Sequence, residues 1–310
     1  MLSRLIIRNW EYCETSQYDQ RNHQFASRRY QSEKINLFSS RRFLQKQGCF
    51  EKRKVTSYKT GRFVLKISRV AIISKEGHSE AKEVARNIAK TLLGKGISLT
   101  SFPNLHMKGV EHVARVNDVR TSKIDLVITV SGDGTILRML RLLDSAVPCL
   151  CVNVGGRGIM AEIKPDQVNG AVDRMIRGDF HLERRARISS SFKRHTLPPA
   201  LNEVFVLRQS VTRTPIFSID FGNQAEFTQR MDGAFISTPT GSTGHSYSYG
   251  SPFMDGSLDV FMITPVGAIT GFPTVVRNAR STLRLMATTA LQLIIDGQDV
   301  FAVEANSYVE

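Results

Sequence analysis

The stretch that most restricts the fold is 124–130, an apolar run interrupted only by Asp125 and Thr129. It stops at Ser131-Gly132-Asp133-Gly134-Thr135 and gives way to a helical pattern over 136–143. A run that is apolar toward both faces suits a strand buried inside a parallel sheet, because a strand with one wet face alternates. Upstream, 70–73 predicts a first strand and 79–93 a helix. Ala81, Val84, Ala85, Ile88, Ala89 and Leu92 share one face of that helix, which ends at Gly94 and Gly96. Further strands are predicted at 97–100 and 148–153. Strand and helix in alternation imply a doubly wound α/β domain. Beyond about Arg184 the pattern turns to short β-branched segments at 187–192, 203–207, 215–221, 233–238, 258–263, 282–285 and 291–295, separated by turn residues. That spacing predicts a mostly β second domain of layered or sandwich form.

Charge divides the chain further. The net charge is +14, yet residues 1–66 hold 15 Lys/Arg against 5 Asp/Glu, which leaves a nearly neutral body. The expected organisation is a basic, unstructured extension over 1–66, an α/β domain over 67–183 and a β domain over 184–310. The opening Met-Leu-Ser-Arg-Leu-Ile-Ile-Arg resembles an organellar transit peptide, although Glu11, Glu14 and Asp19 are unusual in one. A start codon placed too far upstream explains the segment equally well. A basic tail on a neutral body is not a groove built for phosphates, so no nucleic acid partner is expected. Four cysteines, none in a Cys-x-x-Cys pair, exclude a disulfide framework and a zinc ribbon. The longest stretch free of Asp, Glu, Lys, Arg and His, 260–276, carries Pro265, Gly267, Gly271 and Pro273 and is shorter than a membrane span. A cytoplasmic protein without a membrane partner is expected, with organellar targeting by 1–66 as the alternative.

Four segments carry chemistry. Gly132-Asp133-Gly134-Thr135 sits where a buried strand meets a helix, the place where open α/β sheets bind ligands. Glycines there permit unusual backbone angles and close approach, so that N–H groups and the helix dipole face a phosphate. Asp133 would repel a phosphate by itself, so it requires a metal or a hydroxyl. The plain alternative is a strand-to-helix turn in which Asp133 and Thr135 cap the helix. Asn153-Val-Gly155-Gly156-Arg157-Gly158 closes the neighbouring strand and brings a second Gly-rich turn to the same crevice, with a plain turn as its alternative. Asn202-Glu203 pairs an amide with a carboxylate, able to donate to and accept from ribose hydroxyls and an adenine edge. The longest signal runs from Asp232-Gly-Ala-Phe-Ile-Ser into Thr238-Pro239-Thr240-Gly241-Ser242-Thr243-Gly244-His245-Ser246, followed by Tyr247 and Ser248. Hydroxyls and glycines in such number cannot form a core. They suit pyrophosphate or ribose, whereas a flexible Ser/Thr loop is disfavoured by Pro239 and the strand before it.

In this order the four segments resemble the NAD kinase family, with its Gly-Gly-Asp-Gly loop, Asn-Glu pair, Asp-Gly strand and Thr-Pro-Thr-Gly-Ser-Thr-Ala-Tyr loop. The resemblance spans roughly 67–298. It implies transfer of the terminal phosphate of ATP to the 2′-hydroxyl of the adenosine ribose of NAD, giving NADP, with Mg²⁺ as the divalent metal. It also implies NAD and ATP as partners and a homo-oligomer. Carried over residue by residue, Asp133 takes the catalytic position. Gly132, Asp133, Gly134, Asn202, Glu203, Asp232, Thr238, Thr240, Ser242, Thr243, His245 and Ser248 line the NAD site, and Gly132, Gly134, Thr135, Gly155 and Gly156 face phosphates. No metal is expected to be held by protein alone; it would come with ATP, and Asp133 is the residue that could join it. Asp296-Gly297-Gln298 resembles a late Asp-Gly motif of the family.

The sequence departs from that pattern in places. Ser131 stands for the first glycine, Gly244-His245 for Ala-Tyr, and Gly158-Ile159-Met160 for Gly-Phe-Leu. An imidazole can still stack on adenine, so altered affinity or cofactor preference is expected rather than loss of the site. Relatives usually continue beyond the position of Glu310. Two competing functions remain at this level. A lipid kinase would share 131–135 but would need an apolar acyl pocket, which the polar 238–248 loop opposes. A non-catalytic nucleotide-binding protein would bind NAD and form no NADP.

Overall fold

The computed structural model describes residues 67–310, apart from 144–146, 156–157, 159, 162 and 223–225, together with the strand at 4–8. The first domain is one seven-stranded sheet. Its strands are β1 (Arg4–Arg8), β2 (Arg69–Ser74), β3 (Ser98–Phe102), β4 (Val110–His112), β5 (Leu126–Val130), β6 (Cys149–Val152) and β7 (His181–Arg185), in the spatial order β4-β3-β2-β5-β6-β1-β7. All neighbours are parallel except β1 and β7. Five residues of the basic extension thus form a strand, and the rest of 1–66 lies outside the described residues.

Alternation along the strands sorts the helices to two faces. Val70 and Ile72 of β2, with Ile128 and Val130 of β5, pack against α1 (Ser79–Leu93) and α3 (Val168–Ile176) through Ala85, Ile88, Leu92 and Val172. Ala71, Ile73 and Val127 point the other way, onto Ile136 and Leu140 of α2 (Asp133–Leu142). The β5 strand is buried along its whole length, as its unbroken apolar run requires. From β2 the chain proceeds to β3 on one side, whereas β5 leads to β6 on the other. The loops after β2 and β5 therefore diverge at the sheet's switch point, where a crevice opens above the carboxyl ends of the strands. Lys75 N–H donates to Val130 O at 3.0 Å across that point.

The second domain is antiparallel. A short hairpin of β8 (Ser191–Phe192) and β9 (His195–Thr196) precedes β10 (Glu203–Arg208), β11 (Ile216–Asp220), β12 (Glu226–Arg230), β13 (Gly233–Ser237), β14 (Val260–Val266), β15 (Val275–Asn278), β16 (Arg284–Ala287), β17 (Leu291–Ile295) and β18 (Asp299–Val303). A six-stranded sheet in the order β15-β14-β13-β10-β17-β18 faces a three-stranded one in the order β12-β11-β16. Val204, Val206, Ile236, Phe261, Ile263, Leu293 and Ile295 pack against Phe217, Ile219 and Leu285 between them. This is the expected layered β domain. The opposite face of the large sheet carries Phe205 and Phe235, stacked at 4.0 Å between ring centres. Because side chains alternate along a strand, that face also takes Glu203 and Ser237, which are paired in register. The predicted strand at 187–192 is reduced to Ser191–Phe192 and an isolated bridge between Ile188 and Ala200. Arg187 and Ser190 within it are buried.

Candidate active site

At the end of β5 the chain turns through buried Ser131, whose N–H donates to Val152 O at 3.0 Å. Gly132 is the N-cap of α2 and Asp133 its first residue, so the helix begins three residues earlier than the sequence pattern predicts. Asp133 Oδ1 accepts the N–H groups of Met160 and Ala161, both at 3.2 Å. The acid thus ties its own turn to the loop after β6, and the two Gly-rich loops lie together as expected. The backbone-angle part of the expectation needs correction. Gly132 has an ordinary φ of −85°, and a Cβ added at Gly132 or Gly134 would meet nothing within 4 Å. What these glycines leave is open space over the first turn of α2, beside Thr135. Gly155, at φ +143°, does take an angle that favours glycine. Gly156 and Arg157 lie outside the described residues.

The loop after β13 folds back on the start of β10. Thr238 N–H donates to Asn202 O at 2.8 Å, Thr238 Oγ1 donates to Leu201 O at 2.6 Å, and Gly241 N–H donates to Thr238 Oγ1 at 3.1 Å. Ser242 Oγ donates to Pro239 O and accepts from Met254 N–H; Thr243 Oγ1 donates to Thr240 O. The loop is therefore a rigid pair of short 3₁₀ turns, Thr240–Thr243 and His245–Tyr249, and not a flexible Ser/Thr segment. Gly241 is required by contact, since a Cβ there would stand 2.1 Å from Asn202 O. Gly244 lies against Glu203 Oε2 and Asn202 Nδ2, at 3.1 and 3.5 Å from its ideal Cβ position. Thr238, Gly241, Gly244, Asn202 and Glu203 are thus one cluster.

A third segment connects this cluster to Asp133. Between β17 and β18, Asp296 and Gly297 take φ of +49° and +66°, the tight-hairpin conformation for which Asp-Gly is suited. Buried Asp296 accepts the N–H groups of Leu201 at 3.0 Å through Oδ2, and of Asn202 and Glu203 at 2.8 and 3.2 Å through Oδ1. Gln298 Nε2 donates to Gly134 O at 2.8 Å. Arg141 of α2, 8% exposed, donates to Ile295 O and to Gln298 Oε1, both at 3.2 Å, and pairs with Asp299 at 3.1 Å. Glu203 is 5% exposed, and burial pushes its carboxyl up to about 7, with the neighbouring Asp296 adding to the shift. Burial also raises Asp296, against the three N–H groups and Arg141 that favour its charged form.

Two expected site residues take no part in the hydrogen bonds that tie this cluster to Gly134. Asp232 precedes β13 at the end opposite Thr238, about 20 Å away at the rise of an extended strand. There its carboxylate pairs with Arg208 at 2.9 Å. Ser248 is exposed on the second 3₁₀ turn. His245 is exposed and packs edge-on among Phe235, Phe205 and Tyr249, at 4.9, 5.8 and 5.7 Å between ring centres. A cavity of about 480 Å³ on the other face of the large sheet, lined in part by Val204, Val206 and Ile236, meets the loop only at Thr238. Arg141 went unnoticed in the sequence. The available signal was its place four residues after Leu137 on the buried face of α2, where a charge needs a reason.

A doubly wound sheet joined to a layered antiparallel domain, with one acid on a Gly-Asp-Gly turn linked to a hydroxyl-rich loop, defines a two-domain kinase of the Gly-Asp-Gly type. The family models for the ATP-NAD kinase N-terminal and C-terminal domains match residues 70–180 and 201–310. The NAD kinase of Methanothermobacter thermautotrophicus is 31% identical over 249 residues, 78% of this chain and 84% of that one. Among solved structures, yeast NADH kinase complexed with NADH aligns with a TM-score of 0.69 at 18% identity, covering 78% of this chain and 79% of that one. An NAD kinase from Archaeoglobus fulgidus in complex with ATP aligns with a TM-score of 0.62 at 22% identity, covering 78% and 89%. The chain belongs to the ATP-NAD kinase family, whose enzymes phosphorylate NAD to NADP.

Proposed function

We propose that Asp133 accepts the proton of the 2′-hydroxyl of the adenosine ribose of NAD as that oxygen attacks the terminal phosphorus of ATP. The new O–P bond forms as the bond to the β,γ-bridging oxygen breaks, and ADP leaves. Catalysis of this kind rests on alignment and on neutralising charge, so one well-held acid suffices. Two N–H groups on Asp133 Oδ1 fix the plane of that carboxylate. Asn202, Glu203, Thr240, Thr243 and His245 hold the adenosine and its phosphates, with open space over Gly132 and Gly134 for the phosphate chain, whereas Thr238 and Ser242, expected to line the site, are buried with their hydroxyls bonded to the loop's own backbone and shape the loop instead. Gly155 and Thr135 flank it. Asp232 is left for the far end of an extended dinucleotide. The observation that carries this reading is the turn at 296–298, hydrogen-bonded to Gly134 on one side and to 201–203 on the other.

Mg²⁺ fits these residues. Among the described residues no three His, Cys, Asp or Glu side chains form a metal cage. Mg²⁺ is ordinarily held by one or two carboxylates plus substrate phosphates, so ATP would carry it and Asp133 would be the carboxylate to join it. When bound it neutralises charge on the moving phosphate. A coupled assay for NADP from NAD and ATP, run with wild type and Asp133→Asn, tests the assignment. Loss of turnover with an unchanged requirement for Mg²⁺ supports the proton acceptor, and a raised requirement assigns Asp133 to the metal instead.

A homo-oligomer fits the edge strand β15, whose Val276 is 50% exposed and whose outer side pairs with no strand among the described residues. Light scattering checks it. Among the described residues no helix is long and apolar enough to cross a membrane. A cytoplasmic role in NADP supply is the corresponding reading, which cell fractionation tests.

A further inference from the structure

The Asp296–Asp299 turn is the one singled-out motif to which the reaction assigns no chemistry. We infer that this turn, locked by Arg141, sets the distance between the acid and the acceptor ribose, and that Gln298 and Arg141 are positioning residues for phosphoryl transfer. This rests on the kinase reading and extends it to residues that touch no substrate.

The geometry is a two-point attachment. Gln298 Nε2 holds the Gly134 carbonyl in the first turn of α2 at 2.8 Å. Arg141, seven residues further along the same helix and about 10 Å away by helical rise, grips Ile295 O, Gln298 Oε1 and Asp299 from the last turn. One attachment alone would leave the helix free to pivot. Two attachments to one turn fix its position along the axis and its rotation about it, and so fix Asp133 at its start. Gln298 belongs to both, since one amide group donates to Gly134 and accepts from Arg141. The same turn holds the substrate side, because Asp296 takes the N–H groups of 201–203 and so places Asn202 and Glu203. Thr238 is anchored on that segment in turn.

Packing alone does not call for Arg141. A leucine would fill an apolar helix face without the desolvation cost of a guanidinium that is 8% exposed. The planar fork of arginine reaches these three acceptors from two separate nitrogens, whereas an ammonium donates from one. Reactions that depend on alignment lose about 100-fold in rate for a displacement of about 1 Å, so a small shift of α2 against the turn is sufficient to register.

The test uses the full chain with Gln298→Glu and Arg141→Lys. The first keeps the side-chain size and the partner of Arg141, but replaces the donor on Gly134 O with a second acceptor. The second keeps the charge and loses the fork. Each variant is measured for kcat and KM toward NAD in the coupled NADP assay, for NAD affinity by calorimetry, and for melting midpoint. The expected result is a fall in kcat of about tenfold or more in both, with KM and NAD affinity within about twofold of wild type. Gln298→Ala serves as a milder control, expected to reduce kcat less than Gln298→Glu. Three outcomes overturn the inference: kcat unchanged in Gln298→Glu, a loss that follows the folded fraction alone, or a change confined to KM. A wild type that binds NAD yet makes no NADP overturns the kinase reading itself, and this inference with it.

Discussion

Asp133 and Glu203 are both acids, and their surroundings give them different tasks. Asp133 begins a helix and takes two backbone N–H groups on one oxygen. Asparagine keeps an acceptor at that position, so Asp133→Asn should fold with a melting midpoint near that of wild type while turnover falls by at least about 100-fold. Thermal denaturation and the NADP assay on one preparation check both halves. Glu203 is buried beside Asp296, with its carboxyl pushed up to about 7. The sign follows from proton binding. Between the ordinary carboxylate range and pH 7 the folded chain holds a proton that the unfolded chain has lost. This group's contribution to stability is therefore fully present below the ordinary carboxylate range and is lost as pH rises from there through about 7. At pH 8 the ionised carboxylate costs roughly 3 kcal/mol, so Glu203→Gln should melt above wild type there and converge with it near pH 4.5. Melting curves of the pair across that window test it, and a constant difference would contradict the assignment.

At the scale of elements, the hydroxyl loop is rigid because it is built against a neighbouring backbone. Gly241→Ala drives a Cβ into Asn202 O, so it should destabilise the protein by roughly 1–3 kcal/mol and weaken NAD binding together with stability. Chemical denaturation measures the first effect, and an unchanged midpoint would show that the loop can move. How far elements were legible in the sequence follows the strength of their local signals. The α1 helix emerges at its predicted bounds because five buried apolar residues at helical spacing and a glycine stop coincide. The β18 strand was missed because Val300-Phe301-Ala302-Val303 is a short apolar run without the alternation of a half-buried strand, although the Asp-Gly before it is itself a hairpin signal. β12 is exposed along most of its length and offers no apolar pattern to read. At the site, the Thr-Pro-Thr-Gly segment and the Gly-Asp-Gly turn were visible as strings. Arg141 was not, because its role exists only once α2 meets a turn that begins 154 residues later in the chain.

For the whole molecule, the two sheets are joined through buried side chains: Arg141 of α2 bonds to Ile295 O, and Leu201 packs among Ile136 and Leu140. The described residues form one compact unit, so heat should unfold the two sheets together. Calorimetry should give a single transition whose calorimetric and van't Hoff enthalpies agree, and two separated transitions would contradict this coupling. The most direct measurement of the central claim is NADP formed from NAD and ATP with Mg²⁺ present, comparing wild type and Asp133→Asn at equal folded concentration. Steady NADP production by wild type and almost none by the variant is the expected result. Equal turnover in the two, or NAD binding by wild type with no NADP formed, would contradict it.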